Sequence, residues 1–152
     1  MEKMLTWNDT LTEAPMLPEK DAAGNKIPYQ FEVTLFRRNP VRGFSNDAYK
    51  ALSVDLKLTL TAEVDGETLT GTAEDLLILT VKSQFKIFQY FTAIGLRKKG
   101  TGNFDPVKAK AWEPNENLCK QGHCYIKIDE FNGQKRVKID RYLEPEETGV
   151  EI

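Results

Sequence analysis

Cys119, His123 and Cys124 stand together in CKQGHC, the tightest group of metal-ligating or nucleophilic side chains in the chain. A closed structural zinc site takes four ligands. His123 is the only histidine among the 152 residues, so an aspartate or glutamate would have to complete the set. That shortage favours two reduced thiols of an intracellular protein over a metal centre. A Cys–His nucleophile pair needs the two groups aimed at each other in space, which adjacency along the chain does not supply. Carboxylates are plentiful but fall into no catalytic constellation. There is no Gly-x-x-x-x-Gly-Lys phosphate loop, no Gly-x-Ser-x-Gly elbow and no His-Glu-x-x-His. General acid–base chemistry lacks its usual participants here. The sequence reads as a binding protein, not an enzyme, with no cofactor and no metal.

The groups suited to a polyanion are better ordered. In YIKIDEFNGQKRVKID, residues 125–140, Asn132-Gly133 predicts a two-residue hairpin loop of type I′. Counting outward from that loop fixes the register. Phe131 faces Gln134, Glu130 faces Lys135, Asp129 faces Arg136 and Ile128 faces Val137. Lys127 then meets Lys138, Ile126 meets Ile139 and Tyr125 meets Asp140. The apolar pairs share one face, while Tyr125, Lys127, Asp129, Arg136, Lys138 and Asp140 share the other. Two readings stay open for that polar face. It is a solvated, salt-laced surface, as antiparallel sheets commonly present, with diagonal carboxylates offsetting the like-charge pair. Or its cations contact phosphates while Tyr125 offers a stacking surface.

The formal net charge of −2 hides segregation. Arg37, Arg38, Arg42 and Lys50 cluster around Asp47, and Arg97, Lys98, Lys99, Lys108 and Lys110 around Asp105. The terminal EPEETGVEI carries acids alone. Local patches, not the total, set the field a polyanion meets. Apolar content of 40% and charged content of 29% are those of a globular domain with a core of its own. The N-terminal MEKMLTWNDT lacks the apolar stretch of a signal peptide, and no run reaches membrane-span length, so no membrane role is expected.

The elements that must position these groups follow from hydrophobic periodicity. Residues 1–26 mix Pro, Gly, Ala and charges without a period and predict an extended N-terminal arm, with Leu5 and Trp7 docking on the core. From Tyr29, alternation through Phe31, Val33 and Leu35 predicts a strand. Residues 37–50 are rich in turn formers and read as a long basic loop. In LSVDLKLTLTAEV, Leu52, Val54, Leu56, Leu58, Leu60, Ala62 and Val64 share one face of a strand long enough to need strong twist or a bulge. Asp65-Gly66 turns the chain back into a third strand, in which Gly71 suggests a bend or bulge. After Lys82 the period becomes helical, with Phe85, Ile87, Phe88, Phe91, Ile94 and Leu96 as a core-facing stripe. Gly95 ends that helix, and the basic cluster after it complements the helix dipole. Phe104 and Trp112 follow in a turn-rich stretch, and the hairpin closes the fold. The expected architecture is β-rich α+β, an OB-like five-stranded barrel with one helix inserted between strands 3 and 4; a small twisted sheet packed on a single helix is the alternative. The domain spans residues 27–143, ahead of a disordered acidic C-terminal tail over 144–152.

Several landmarks occur in a telling order: YQFEVTLF; LKLTLTAEVDGETLTG; LILTVKSQFKIFQYFTAIGL, an aromatic helix ending at Ala-Ile-Gly-Leu; and CYIKIDEFNGQKRVKIDRYLEP. From Tyr29 to Pro145 the chain resembles a phage-encoded domain-of-unknown-function family associated with replication and recombination genes. The resemblance implies an OB-like fold and single-stranded-DNA binding in phage DNA replication or recombination, in the cytoplasm of a bacterial host cell. Phosphate contacts are then expected from Arg37, Arg38, Arg42, Lys57, Arg97, Lys98, Lys99, Lys127, Arg136 and Lys138. Phe44, Tyr49 and Tyr125 are the stacking candidates. Replication or recombination proteins are candidate partners for the acidic tail, and a homodimer is compatible with the pattern. The alternative is a protein-interaction module, an adaptor or host-directed inhibitor, on the same scaffold; a virion structural protein is a weaker one.

Overall fold

Alternating side chains build most of this protein. The computed structural model describes residues 6–7, 17–44, 49–98, 104–131 and 133–145, with the backbone alone for Tyr49 and Phe131. Strands β1 (Tyr29–Phe44), β2 (Tyr49–Val64), β3 (Glu67–Ile78), β4 (Gln121–Phe131) and β5 (Gln134–Leu143) form one antiparallel sheet of five strands, ordered β3-β2-β1-β4-β5. Helix α1 (Gln84–Ala93) and the single turn α2 (Pro114–Asn117) lie between β3 and β4 in the chain. The fold is β-rich with little helix, as expected.

Both predicted tight turns position their strands. Val64 pairs with Glu67, and Asp65 and Gly66 have φ of 51° and 83°, the left-handed values a type I′ loop needs. Phe131 pairs with Gln134, and Gly133 has φ 77°; Asn132 lies outside the described residues.

Residues 37–44 and 49–50 are not loop, as the turn formers suggested. β1 and β2 continue through them, with Arg37 opposite Asp55, Asn39 opposite Ser53 and Arg42 opposite Ala51. Cross-strand partners, not local propensity, decide here, and the register shift between Asn39 and Arg42 accommodates Pro40. Residues 45–48 lie outside the description. A second shift, between Val33 and Leu35, sets Thr34 out of register and turns Phe36 inward in place of Leu35. The irregularity expected in β2 therefore sits in its partner β1.

The apolar faces of the strands meet α1 in a single core containing Phe31, Leu56, Leu58, Leu60, Tyr90, Phe91 and Tyr142. Gly95, with φ 85°, closes α1 in a Schellman arrangement. Its N–H donates to the Thr92 carbonyl at 3.1 Å, and the Leu96 N–H donates to the Phe91 carbonyl at 3.0 Å. Phe85 does not join the stripe; it points to solvent at the helix start, and Tyr90 takes the central place. Phe104 and Trp112 pack on the Phe91 ring at 5.7 and 5.3 Å between centroids. The buried Asn117 ties their segment down: Tyr90 Oη donates to Asn117 Oδ1 at 2.9 Å, and Asn117 Nδ2 donates to the carbonyls of Ala111 and Glu113 at 2.7 and 2.9 Å.

Two glycines serve close approach. Gly71 sits in unbroken register, not at a bulge, because Leu17 occupies the space where its side chain would be. Leu17, with the Tyr29 hydroxyl donating to the Pro18 carbonyl at 2.7 Å, fastens the incoming chain to the sheet. Trp7, expected on the core, is fully exposed, and Leu5 lies outside the described residues. At Gly122 a Cβ would lie 2.7 Å from the Ala93 carbonyl oxygen and 2.8 Å from the Phe31 ring. Neither the helix backbone nor a buried ring can yield cheaply. Gly122→Ala is expected to lower the unfolding free energy by about 2 kcal/mol, read from the midpoint of a urea titration. An unchanged midpoint would mean that α1 does not seat against β4 in this way.

Candidate nucleic-acid interface

β3 and β5 are the two edges of the sheet and pack against each other without a shared ladder. A side-chain clamp spans that seam. Asp75 of β3 is 9% exposed and accepts from Lys86 Nζ of α1 at 2.6 Å and from Tyr142 Oη of β5 at 2.5 Å. Burial, the Asp75 charge and that hydrogen bond hold the Tyr142 hydroxyl well above its usual pKa.

Over this seam residues of all five strands line a groove. Two adjoining hollows of about 400 and 440 Å³ share Asp55, Glu74 and Asp75. Arg37 and Lys57 line the first, and Arg42, Lys86, Lys127 and Lys138 line the second, over a floor of Leu76, Ile78 and Ile139. Five of the cations chosen from the sequence, Arg37, Arg42, Lys57, Lys127 and Lys138, thus come together. Lys86, placed by the first turn of α1, was missed; its helical neighbours gave no sign that the helix would start at the seam.

Acids within the groove hold most of these cations. Arg37 Nη2 lies 2.6 Å from Asp55 and Arg42 Nη2 3.8 Å from it, while Lys57 lies 3.8 Å from its cross-strand partner Glu74. Burial acts to raise the Asp55 carboxyl, but hydrogen bonds from Arg37 and Asn39 and the two guanidinium charges outweigh it and hold the pKa below its ordinary value. Lys138 pairs diagonally with Asp129 at 3.0 Å, the offset expected for the like-charge pair. That hydrogen bond, opposed by slight desolvation, holds Asp129 below its ordinary pKa. Lys127, directly opposite Lys138, has no ion pair among the described residues.

The hairpin register agrees with the counted one from Phe131↔Gln134 to Ile126↔Ile139. It departs at the next position: a shift between Tyr125 and Ile126 brings Tyr125 opposite Arg141, not Asp140. Asp140 pairs with Lys26 at 3.6 Å instead. The Tyr125 ring carries Lys26 and Arg141, each 5.4 Å from its centroid, and Arg42 sits 5.0 Å over Phe44. Cations thus already cover the described stacking candidates. Arg136 is exposed across from Asp129.

The remaining candidates lie elsewhere. Arg38 lines a cleft with Trp112, separate from the groove. Arg97 folds back on α1, its guanidinium 4.7 Å from the Phe88 centroid and its Nη1 donating to Thr92 Oγ1 at 3.0 Å. Lys98 is exposed beyond the helix end. Lys99, the Tyr49 side chain and residues 146–152 of the acidic tail lie outside the described residues.

CKQGHC is divided by the fold. Cys119 is exposed at φ 67°, whereas Cys124 is buried, its thiol pushed up to about 12 by desolvation and the Asp75 charge. Partial burial lowers the His123 pKa. Among the described residues, no three His, Cys, Asp or Glu side chains group as metal ligands, and no helix is long and apolar enough to cross a membrane. No protein-family model matches the chain, and no curated protein matches it.

Proposed function

We propose that this is a single-stranded-DNA-binding protein without catalytic activity, acting in phage DNA replication or recombination. The observation that carries the reading is the convergence of Arg37, Arg42, Lys57, Lys127 and Lys138, from separate hairpins, on one groove. A backbone of phosphates can follow such a line of cations, while unstacked bases turn toward the groove floor and nearby rings. The strand order, the β3–β5 contact and the helix between β3 and β4 support an OB-type barrel closed at that seam. The sequence resemblance points the same way.

The test is anisotropy titration of a labelled oligonucleotide at about 50 and 200 mM salt. With five phosphate contacts, affinity is expected to fall about a hundredfold across that interval, because a single strand releases about 0.7 counterion per neutralised phosphate. No association at the lower salt sinks the proposal.

A second reading has its own observation. Nearly every groove cation is internally paired, so the surface is mixed in sign and suits a protein partner of mixed charge. Absence of oligonucleotide binding would promote this interaction module.

A further inference from the structure

The described stacking candidates, Tyr125 and Phe44, are engaged by cations, but Trp112, an isolated aromatic in the sequence, borders open space. A cleft of about 470 Å³ is lined by Arg38, Asn39, Leu52, Val54, Leu79 and Trp112, among others. That volume lies within the general range of small-molecule sites, about 300–1,000 Å³. We propose that this cleft captures one nucleobase of the bound single strand, stacked along Trp112, with the adjoining phosphate on Arg38. The proposal rests on the DNA-binding reading above and adds a base-specific subsite to it.

Position argues for a base from the same strand. Arg37 and Arg38 are neighbours on β1, and strand alternation sends their side chains to opposite faces. Asp55 and Val54 stand opposite them on β2. Groove and cleft are thus the two sides of one stretch of hairpin. β4 pairs with β1 only from Tyr29 to Glu32, and Val33 bonds to the chain at Cys119 and Lys120. Past that point β1 keeps β2 on one side but has no strand on its other side among the described residues. A nucleic-acid strand leaving Arg37 can pass around this edge and reach Arg38.

Chemistry argues for a base rather than a bare anion. Leu52, Val54, Leu79 and the indole form apolar walls, and the Asn39–Ser53 side-chain hydrogen bond of 3.1 Å sets a polar edge beside them. The Arg38 guanidinium has no partner among the described residues. Edge-on packing against Phe91 holds Trp112 in place, so little ordering is needed on binding. Leu52, 47% exposed despite its apolar register, becomes the rim of the cleft.

The experiment uses the full chain carrying Trp7→Phe, which leaves Trp112 as the sole tryptophan, since the chain has two. Indole fluorescence and anisotropy are followed together while adding an oligothymidylate or an abasic oligomer with the same number of phosphates. Both are expected to bind, and only the oligothymidylate should quench Trp112. Trp112→Leu, its fold checked by circular dichroism, should weaken oligothymidylate binding about tenfold and leave the abasic oligomer unaffected. Binding of both oligomers with equal quenching, or with none, overturns the subsite and spares the groove. Failure of both to bind overturns the DNA reading and the subsite with it. Should Trp112→Leu not fold, the quenching comparison decides alone.

Discussion

Lys127→Glu combined with Lys138→Glu is expected to cripple oligonucleotide binding while the protein stays folded. The two lysines face each other across the β4–β5 ladder and line the groove above the seam. Lys127 has no acid to satisfy it among the described residues, so a phosphate would meet it without first displacing a carboxylate. Charge-assisted hydrogen bonds contribute about 1.5–3 kcal/mol each. Losing two, and adding repulsion, should weaken binding at least about a hundredfold at low salt. The residual binding should also show a shallower salt dependence, by about 1.4 in the log–log slope for two lost contacts on a single strand. Stability should change little, because the Lys138–Asp129 pair is solvent-exposed and such pairs contribute under about 1 kcal/mol. Unchanged affinity in a folded double variant would remove this face from the interface.

Asp75→Ala should have the largest effect on stability, about 3 kcal/mol in a urea titration. The substitution strands the fully buried Tyr142 hydroxyl and releases Lys86, cutting the contact between β3, α1 and β5 at once. Lys86 is 42% exposed and can turn to water, which keeps the cost at the lower end for a broken buried pair. Tyr142→Phe leaves the Lys86–Asp75 pair intact and should cost less, about 1–2 kcal/mol. Equal costs for the two variants would mean that Lys86 contributes nothing to the clamp.

The same region sets the alkaline limit. Burial raises the hydroxyls of Tyr90 and Tyr142 above the ordinary range and that of Tyr29 to about 12. A raised folded-state pKa means that the folded chain retains protons the unfolded chain gives up. Stability is therefore whole below the ordinary tyrosine pKa of about 10 and falls as pH climbs above it, by about 1.4 kcal/mol per pH unit for each such group. Stability measured between pH 9 and about 11.5 should fall more shallowly in Tyr142→Phe than in the unsubstituted protein. Parallel curves would show that Tyr142 ionises freely in the folded state.

The parts governed by short-range rules were legible in the residues alone. Asp65-Gly66 and Asn132-Gly133 set two hairpin registers, because loop length and left-handed φ leave few ways to pair the flanking strands. Alternation marked Phe31, Leu56, Leu58 and Leu60 for the core, and Gly95 marked the helix end. Several cations of the groove were legible because strand period alone sends Lys127, Lys138 and Lys57 outward. What depends on partners distant in the chain became visible in the folded molecule. Arg37 and Asp55 extend a ladder through residues that read locally as loop, since a cross-strand pair outweighs turn propensity. Shifts in β1 and β5 turned Phe36 inward and moved Tyr125 off Asp140, because a single unpaired residue changes the alignment of a ladder with a period of two. Trp112, Asn117 and the Asp75 clamp gave no periodic signal, for each is placed by elements that sequence order keeps apart. The meeting of β3 with β5, which draws the scattered cations over one seam, was decided there too.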